Sequence, residues 1–251
     1  MAETESDYLL VAAIDFGTTY SGYAFSMKDT YKTDPLKIHA NQAWNAGGRQ
    51  LLSLKTPTCL LLNSKKTSTP LDVKCDMVLE DITGKPVLAI DVFALSIKAL
   101  VKHLMDALET RGTGVKPNDI RWVLTVPAIW TDNSKQFMRK SAEKAGIEKD
   151  HLLISLEPEA ASIYCQHLPT EKLSGVESGF TMSNAGTKIY DSRSWRYLFR
   201  GTVDITVHEK MSGSALKEIS RAKGGNCGGT SIDADFIQLF AKIFGRHSFI
   251  Q

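Results

Sequence analysis

One short segment of the chain, residues 13–25, places an acidic side chain, a glycine and two threonines between two apolar runs. Successive backbone N–H groups and the hydroxyls of Thr18 and Thr19 can surround the oxygens of a phosphate. Asp15 can hold a hydrated Mg²⁺, because this hard cation prefers oxygen ligands and keeps much of its water. The pattern indicates a phosphate site, but turn-forming residues in an ordinary β-hairpin would also explain it.

Two strands and a sharp turn are needed to position these groups. Residues 8–14 are short and apolar enough for a buried strand, and residues 21–26 are expected to return as its partner. Gly17 permits the sharp turn between the two runs. The carboxylate and the two hydroxyls would then lie at the tip of a hairpin.

Composition narrows the class of protein. The chain has 251 residues, 43% hydrophobic and 23% charged, which is typical of a globular protein with one large core or two small ones. Its net charge of +2 favours neither nucleic acid nor a membrane surface as a partner. The acidic N-terminus is unlike a signal peptide, and no apolar run approaches the ~18 residues of a membrane span. A cytoplasmic protein is therefore expected.

The 4 cysteines include no C-x-x-C pair, so neither a zinc site nor a disulfide framework is expected.

Hydrophobic periodicity predicts alternating helices and strands over the middle of the chain. The predicted helices are 90–110, 134–145 and 158–166, and the predicted strands between them are 121–127 and 152–156. Such alternation is typical of an α/β domain with a mainly parallel sheet.

The pattern changes in the last third of the chain. No periodicity is visible over residues 169–194, where small and polar residues are frequent, and a linker or lobe boundary is expected there. Residues 203–208 and 216–220 are predicted strands, and residues 232–244 are predicted to form a helix with one apolar face.

Four motifs occur in the order of the actin-like ATPase fold. They are IDFGTTYS at 14–21, WVLTVPAIW at 122–130, LEPEAAS at 156–162 and GTVD at 201–204. The whole chain resembles the 70-kDa heat-shock proteins. Similarity to the divergent member-12 branch of that family (12A/12B-like) is carried by Phe16 and by the segments 22–25, 55–60, 135–139 and 203–208.

The resemblance implies an α/β fold of the actin-like (ribonuclease-H-like) kind, truncated so that the first lobe is nearly complete and the second only begun. The first lobe would span residues 1–170, an irregular linker or aberrant segment 171–195, and the start of the second lobe 196–251. ATP or ADP with Mg²⁺ would bind between the lobes. Chaperone or signalling proteins are compatible with the family as further partners.

The resemblance also implies which residues form the site. Glu157 and Asp204 would be catalytic, with Glu157 helping to position the attacking water, and Asp15 and Asp204 would lie on the metal side. A glutamate at a helix N-terminus is also favoured by the helix dipole, so Glu157 has a purely structural explanation as well. The residues expected to bind the nucleotide are Asp15, Gly17, Thr18, Thr19, Tyr20, Gly201, Thr202, Gly228 and Gly229, of which the last two are also ordinary turn residues.

The second phosphate loop departs from the family pattern. Tyr197 stands where the resemblance places a catalytic aspartate, and Phe199 and Arg200 replace glycines whose missing Cβ lets backbone N–H groups approach a phosphate. Arg200 could offer a compensating cation, or residues 197–200 could form an ordinary strand without a ligand. Slow or absent ATP hydrolysis is expected, since a neutral phenol cannot coordinate as a carboxylate does.

A second departure concerns a lysine. Residues 62–81 are too few for the subdomain that carries the phosphate-contacting lysine of the family. Lys65, Lys66 and Lys74 lie in no matching motif, and so no lysine is assigned that role.

Two functions stay open on these residues. The first is a heat-shock-70-like ATP-binding protein with impaired or absent hydrolysis and no peptide-binding domain, which Asp15, Thr18, Thr19 and Glu157 favour. The second is a non-catalytic pseudo-ATPase fragment that acts as a protein-interaction module, which Tyr197 favours. Residues 178–200 look foreign to the family, so a short isoform and an aberrant transcript or gene-model product are both open as the origin of the chain.

Overall fold

The computed structural model describes residues 8–17, 20–41, 43–46, 49–58, 74–81, 83–167, 188–192, 203–212, 215–225 and 229–244. The chain separates into two compact units. The first unit consists of Met1–Val126 and Trp130–Ser155, and the second consists of Pro127–Ile129 and Leu156–Gln251.

The first unit contains ten strands, three α-helices and two short 3-10 helices (Pro117–Asp119 and Lys149–His151) among the described residues. Its strands are β1 (Leu10–Phe16), β2 (Tyr20–Met27), β3 (His39–Ala40), β4 (Ala43–Ala46), β5 (Arg49–Leu52), β6 (Thr56–Pro57), β7 (Val78–Glu80), β8 (Pro86–Leu88), β9 (Ile120–Val126) and β10 (Leu152–Leu156, whose last residue falls in the second unit). Its helices are α1 (Lys28–Thr33), α2 (Ala89–Thr110) and α3 (Asp132–Lys144).

A mixed six-stranded sheet forms the centre of this unit. The strand order is β10–β9–β1–β2–β3, and β6 also pairs with β2. β1 runs antiparallel to β2 and parallel to β9. β4 with β5, and β7 with β8, form two separate antiparallel hairpins. The sheet brings the carboxyl end of β1 beside β2 and places β6 at the same end of β2.

Alternation of apolar residues explains why β1 lies at the centre. Successive side chains of a strand point to opposite faces, and every second residue of β1 is buried, whereas Val11 between them is 47% exposed. The ring of Phe16 continues the buried face, since its centroid lies 5.3 Å from that of Phe93 on α2. Asp15, the residue between Ile14 and Phe16, therefore belongs to the opposite face of the sheet.

The long helix α2 covers the buried face of the sheet. It packs against β1, β2 and α3, and an ion pair between Asp91 and Lys144 joins α2 to α3. Gly112, with φ of +64°, follows the end of α2 in a conformation that favours glycine. The buried residues of α2 recur at helical spacing: Ala89, Ala94, Ile97, Leu100, Leu104 and Leu108.

A polar contact inside this core ties β2 to α2. The hydroxyl of Tyr23 lies 2.8 Å from Nδ1 of His103, and Trp44 stacks on the His103 ring with centroids 4.7 Å apart. Burial raises the pKa of Tyr23 to about 12, against a smaller lowering by Arg111. The tyrosine hydroxyl therefore keeps its proton well above neutral pH, and it can donate to the imidazole.

The second unit has a three-stranded antiparallel sheet and two helices among the described residues. In chain order they are α4 (Glu157–His167), β11 (Lys188–Ser192), β12 (Val203–Lys210), β13 (Leu216–Gly225) and α5 (Gly229–Phe244). The sheet order is β11–β12–β13, and α4 packs on β11 and β12. Ser162 Oγ of α4 lies 3.3 Å from His208 Nδ1 of β12, and both residues are buried.

Most predicted elements are confirmed. The three helices and two strands predicted between residues 90 and 166 differ from α2, β9, α3, β10 and α4 by at most two residues at either end. β11 lies in the stretch without periodicity, where no strand was predicted, and β13 continues through Gly224 and Gly225 beyond its predicted end. The α/β class is confirmed, but the prediction of a mainly parallel sheet is wrong, because β2 pairs antiparallel with β1, β3 and β6 and only the pairing of β1 with β9 is described as parallel. The lobe boundaries at 170 and 195 stay a prediction, although α4 groups with the second unit.

Two further expectations concern surfaces. In the part of the chain that the structure describes, no helix is long and apolar enough to cross a bilayer. The apolar face predicted for the last helix is present on α5 and is exposed. Its exposed large side chains are Ile232, Phe236, Ile237, Leu239, Phe240 and Ile243.

The core of the first unit gives a direct test of this packing. Leu104 of α2 is fully buried, so Leu104→Ala removes apolar contacts and leaves a cavity; we expect a loss of about 2–5 kcal/mol in the free energy of unfolding. Leu95→Ala is the matched control, because Leu95 lies on the same helix and is 67% exposed; it should change stability by less than about 0.5 kcal/mol. Urea denaturation measures both. Equal losses in the two variants would contradict the placement of α2.

Candidate functional site

The candidate site is the turn between β1 and β2. In the register of this antiparallel pair, Asp15 lies opposite Gly22 and Phe16 lies opposite Ser21, as the predicted hairpin requires. Asp15 is the last residue but one of β1, and Gly17 directly follows the strand. Tyr20 begins β2 and is 40% exposed. The two threonines predicted at the tip, Thr18 and Thr19, lie outside the described residues.

A short segment of chain, residues 53–58, supports this turn, and we call it the Lys55 segment. It contains β6, whose Thr56 and Pro57 pair with Ser21 and Tyr20 at the start of β2. The hydroxyl of Thr58 donates to the carbonyl oxygen of Gly17 at 2.8 Å, and it lies 2.7 Å from Ser21 Oγ. Because a hydroxyl has one proton, Ser21 is the donor to Thr58. The turn is thereby connected to β6 and β2 through hydrogen bonds.

Two glycines allow this close packing. A Cβ on Gly22 would lie 2.8 Å from the carbonyl oxygen of Leu54 and 3.1 Å from Cγ of Lys55. A Cβ on Gly17 would lie 2.6 Å from the carbonyl oxygen of Tyr20. Real side chains do not reach backbone atoms this closely, so Gly22 admits the Lys55 segment and Gly17 admits the tight turn.

The Lys55 segment brings a cation to the site. Nζ of Lys55 forms an ion pair with Oδ2 of Asp15, and the two side chains are 29% and 25% exposed. The sequence does not predict this contact, because residues 55–60 indicate only the family resemblance. The two partners are 40 residues apart, and no periodic pattern links them.

The other predicted site residues belong to the second unit. Glu157 is the first residue of α4 and is 6% exposed, and its position at the helix start is favourable for a carboxylate. Asp204 lies in β12, with its backbone opposite Gly224 of β13. Gly229 begins α5. Gly201, Thr202 and Gly228 lie outside the described residues, as do the substituted positions Tyr197, Phe199 and Arg200.

The structure therefore brings together part of the predicted constellation. In the first unit, Asp15 and Gly17 share one turn, with Tyr20 at its far side and Lys55 against the carboxylate. In the second unit, Glu157 and Asp204 lie on α4 and β12, two elements that pack together. A joint role of Asp15 with Glu157 and Asp204 stays a prediction.

The carboxylate of Asp15 is an oxygen donor of the type that Mg²⁺ prefers. Among the described residues, no group of three or more His, Cys, Asp or Glu side chains could hold a metal by itself. Mg²⁺ does not require one, since it is commonly held by one or two carboxylates together with waters and phosphate oxygens. Asp15 has such a carboxylate, and the tight turn after it leaves no room for a side chain at Gly17, where a Cβ would lie 2.6 Å from the Tyr20 carbonyl oxygen.

The fold defines the class of protein as an α/β protein whose central sheet contains the β1–β2 hairpin. No family model matches the chain. Heat shock 70 kDa protein 12B of Homo sapiens is 32% identical over 322 aligned residues, which cover 98% of this chain and 46% of that protein. Heat shock 70 kDa protein 12A of Mus musculus is 31% identical over 318 residues, which cover 96% of this chain and 46% of the relative.

The predicted resemblance to the 12A/12B branch of 70-kDa heat-shock proteins is thus confirmed over nearly the whole chain. The chain spans about half the length of the curated relatives that it matches. The alignments are longer than the 251 residues of the chain, so the relatives carry further residues within the matched region.

Among solved structures, a non-polymerising mutant of MamK bound to AMPPNP superposes with a TM-score of 0.36 at 13% identity, covering 98% of this chain and 62% of that one.

The close approach at Gly22 can be tested by adding one methyl group. Gly22→Ala places a Cβ against a backbone carbonyl, so β2 and the Lys55 segment must separate; we expect a loss of about 1–3 kcal/mol in the free energy of unfolding. Ser26→Ala is the control on the same strand, since Ser26 Oγ makes only a long, exposed hydrogen bond of 3.4 Å to the Lys37 carbonyl. Urea denaturation compares the two. A Gly22→Ala variant as stable as the Ser26→Ala variant would show that the Lys55 segment does not pack here.

Proposed function

We propose that the chain is a heat-shock-70-like protein that binds ATP or ADP with Mg²⁺ at the β1–β2 turn. The observation that carries the proposal is the turn itself, in which Asp15 and Gly17 are held by the Thr58 hydroxyl and by the Lys55 segment. The relatedness to 70-kDa heat-shock proteins 12A and 12B supports it independently.

The turn can contribute three kinds of interaction to a bound nucleotide. Backbone N–H groups after Gly17, with the hydroxyls of Thr18 and Thr19, would donate hydrogen bonds to phosphate oxygens. Asp15 would hold Mg²⁺ through its carboxylate, and the metal would neutralise phosphate charge when bound. Tyr20, at the start of β2, lies next in the chain and would border the phosphates.

The residues expected from the second loop would interact with the nucleotide more weakly than those of the β1–β2 turn. Glu157 and Asp204 are the groups that would orient water and metal, with Gly201, Thr202, Gly228 and Gly229 lining the nucleotide. Tyr197, Phe199 and Arg200 replace the aspartate and glycines expected in the second loop. Loss of one preorganised electrostatic contact commonly lowers a rate by ~10²–10³, so hydrolysis is proposed to be very slow or absent.

One observation favours a second function, a non-catalytic module that binds other proteins. The apolar face of α5 carries six large exposed side chains, and exposed apolar surface of this extent often marks a contact with another protein. Chaperone or signalling proteins in the cytoplasm are the partners that the family relationship suggests. The two functions are compatible, because the turn and α5 lie in different units.

Calorimetry with ATP and Mg²⁺ tests nucleotide binding. We expect a dissociation constant in the high-micromolar range, about −5 to −6 kcal/mol, since the second loop lacks the glycines that would let its backbone reach the phosphates. Asp15→Ala should abolish measurable binding, whereas Asp29→Ala, at an exposed aspartate of α1, should leave it unchanged.

Two results would contradict this proposal. Absence of ATP binding at millimolar concentration would exclude a nucleotide site on this chain. Equal affinities of the Asp15→Ala and Asp29→Ala variants would place any nucleotide site elsewhere.

A further inference from the structure

The ion pair between Lys55 and Asp15 occupies the carboxylate to which the proposed function assigns Mg²⁺. A divalent cation on the same carboxylate would be repelled by the ammonium group, because like charges at contact distance disfavour one another. Lys55 and a metal therefore compete for Asp15. A ligand that carries several negative charges removes the conflict, since it can accept both cations.

The backbone of Lys55 is held by several contacts, whereas its ammonium group is held in an ion pair. Pairing of β6 with β2, the hydrogen bonds of Thr58, and the close approach at Gly22 fix the Lys55 segment beside the turn. The side chains of Lys55 and Asp15 both reach solvent. Because both side chains are partly exposed, solvent screens the ion pair and lowers the free energy needed to open it.

Once it leaves Asp15, the ammonium group at this position can contact a phosphate oxygen of a ligand bound at the turn. Thr58 ties the Lys55 segment directly to the Gly17 carbonyl, at the turn where the phosphates are proposed to lie. Lysine has four methylene groups and rotatable bonds throughout, so Nζ can leave the carboxylate and contact an oxygen a few ångströms away. The sequence assigns no lysine to the phosphates, and the structure places Lys55 on Asp15, at the turn where the phosphates are proposed to lie.

We infer that Lys55 is an exchangeable cation of the nucleotide site, and the inference rests on the proposed function. Without ligand, its ammonium neutralises Asp15. When a nucleotide binds, Lys55 leaves the carboxylate and contacts a phosphate oxygen, and the carboxylate is then open to a metal. No covalent bond changes in this exchange.

The first arm of the test uses Mn²⁺ alone and needs no nucleotide. Lys55→Met keeps the apolar stem that packs at Gly22 and removes the competing charge, so its affinity for Mn²⁺, measured by electron paramagnetic resonance, should rise about fivefold. Asp15→Asn should remove this binding in both backgrounds. Lys37→Met, at an exposed lysine of the first unit, is the matched control and should bind as the unchanged chain does. Equal Mn²⁺ affinities of Lys55→Met and Lys37→Met would overturn the exchange.

The second arm measures ATP binding in the presence of a chelator. Lys55→Met should bind metal-free ATP about tenfold more weakly than the unchanged chain, because a charge-assisted phosphate contact is lost. Lys55→Arg preserves the charge and should stay within about threefold. Unchanged ATP affinity in Lys55→Met would overturn the phosphate contact while the proposed function stands. If no variant binds ATP even with Mg²⁺, the proposed function and the phosphate contact both fail, and the Mn²⁺ arm still decides the exchange at Asp15. Circular dichroism of all variants controls for folding.

Discussion

The close approach of the Lys55 segment to β2 is the constraint on which the candidate site depends. It is possible because Gly22 has no side chain where the Leu54 carbonyl and the Lys55 stem pass. This packing positions Thr58 to bind the Gly17 carbonyl and Lys55 to reach Asp15. The shape of the turn therefore depends on Gly17 and also on Lys55 and Thr58, which lie about forty residues later in the chain. The candidate site is therefore held by backbone pairing on its β6 side and by the side chain of Lys55 at Asp15.

The parts of the structure that follow local physical rules could be predicted from the sequence. Helix α2 follows from apolar residues at helical spacing and a glycine after its end, and β1 follows from alternation that buries every second residue. The β1–β2 hairpin follows from two apolar runs around Gly17. These features are set by residues within one turn or one strand of each other.

The remaining features depend on tertiary contacts. The pairing of Lys55 with Asp15 joins two side chains that no periodicity relates, and it arises only when β6 pairs with β2. The sequence does not predict β11, because its polar residues show no strand pattern and the strand is stabilised by its pairing with β12. α4 was predicted correctly as a helix, but its packing on β11 and β12 could not be deduced before those strands were known. The structure places Asp15 and Gly17 at one turn, as the sequence predicts, while the roles of these residues and of Glu157 and Asp204 in binding or catalysis stay predictions.

The central claim is that the turn after Asp15 binds the phosphates of a nucleotide. A crystal structure of the chain with Mg²⁺ and ADP tests it most directly. The account predicts phosphate density within hydrogen-bonding distance of the backbone after Gly17, with Nζ of Lys55 on a phosphate oxygen and the carboxylate of Asp15 facing the metal and its waters. Nucleotide density at another surface, or a turn that stays empty with Lys55 on Asp15 at saturating ADP, would contradict it.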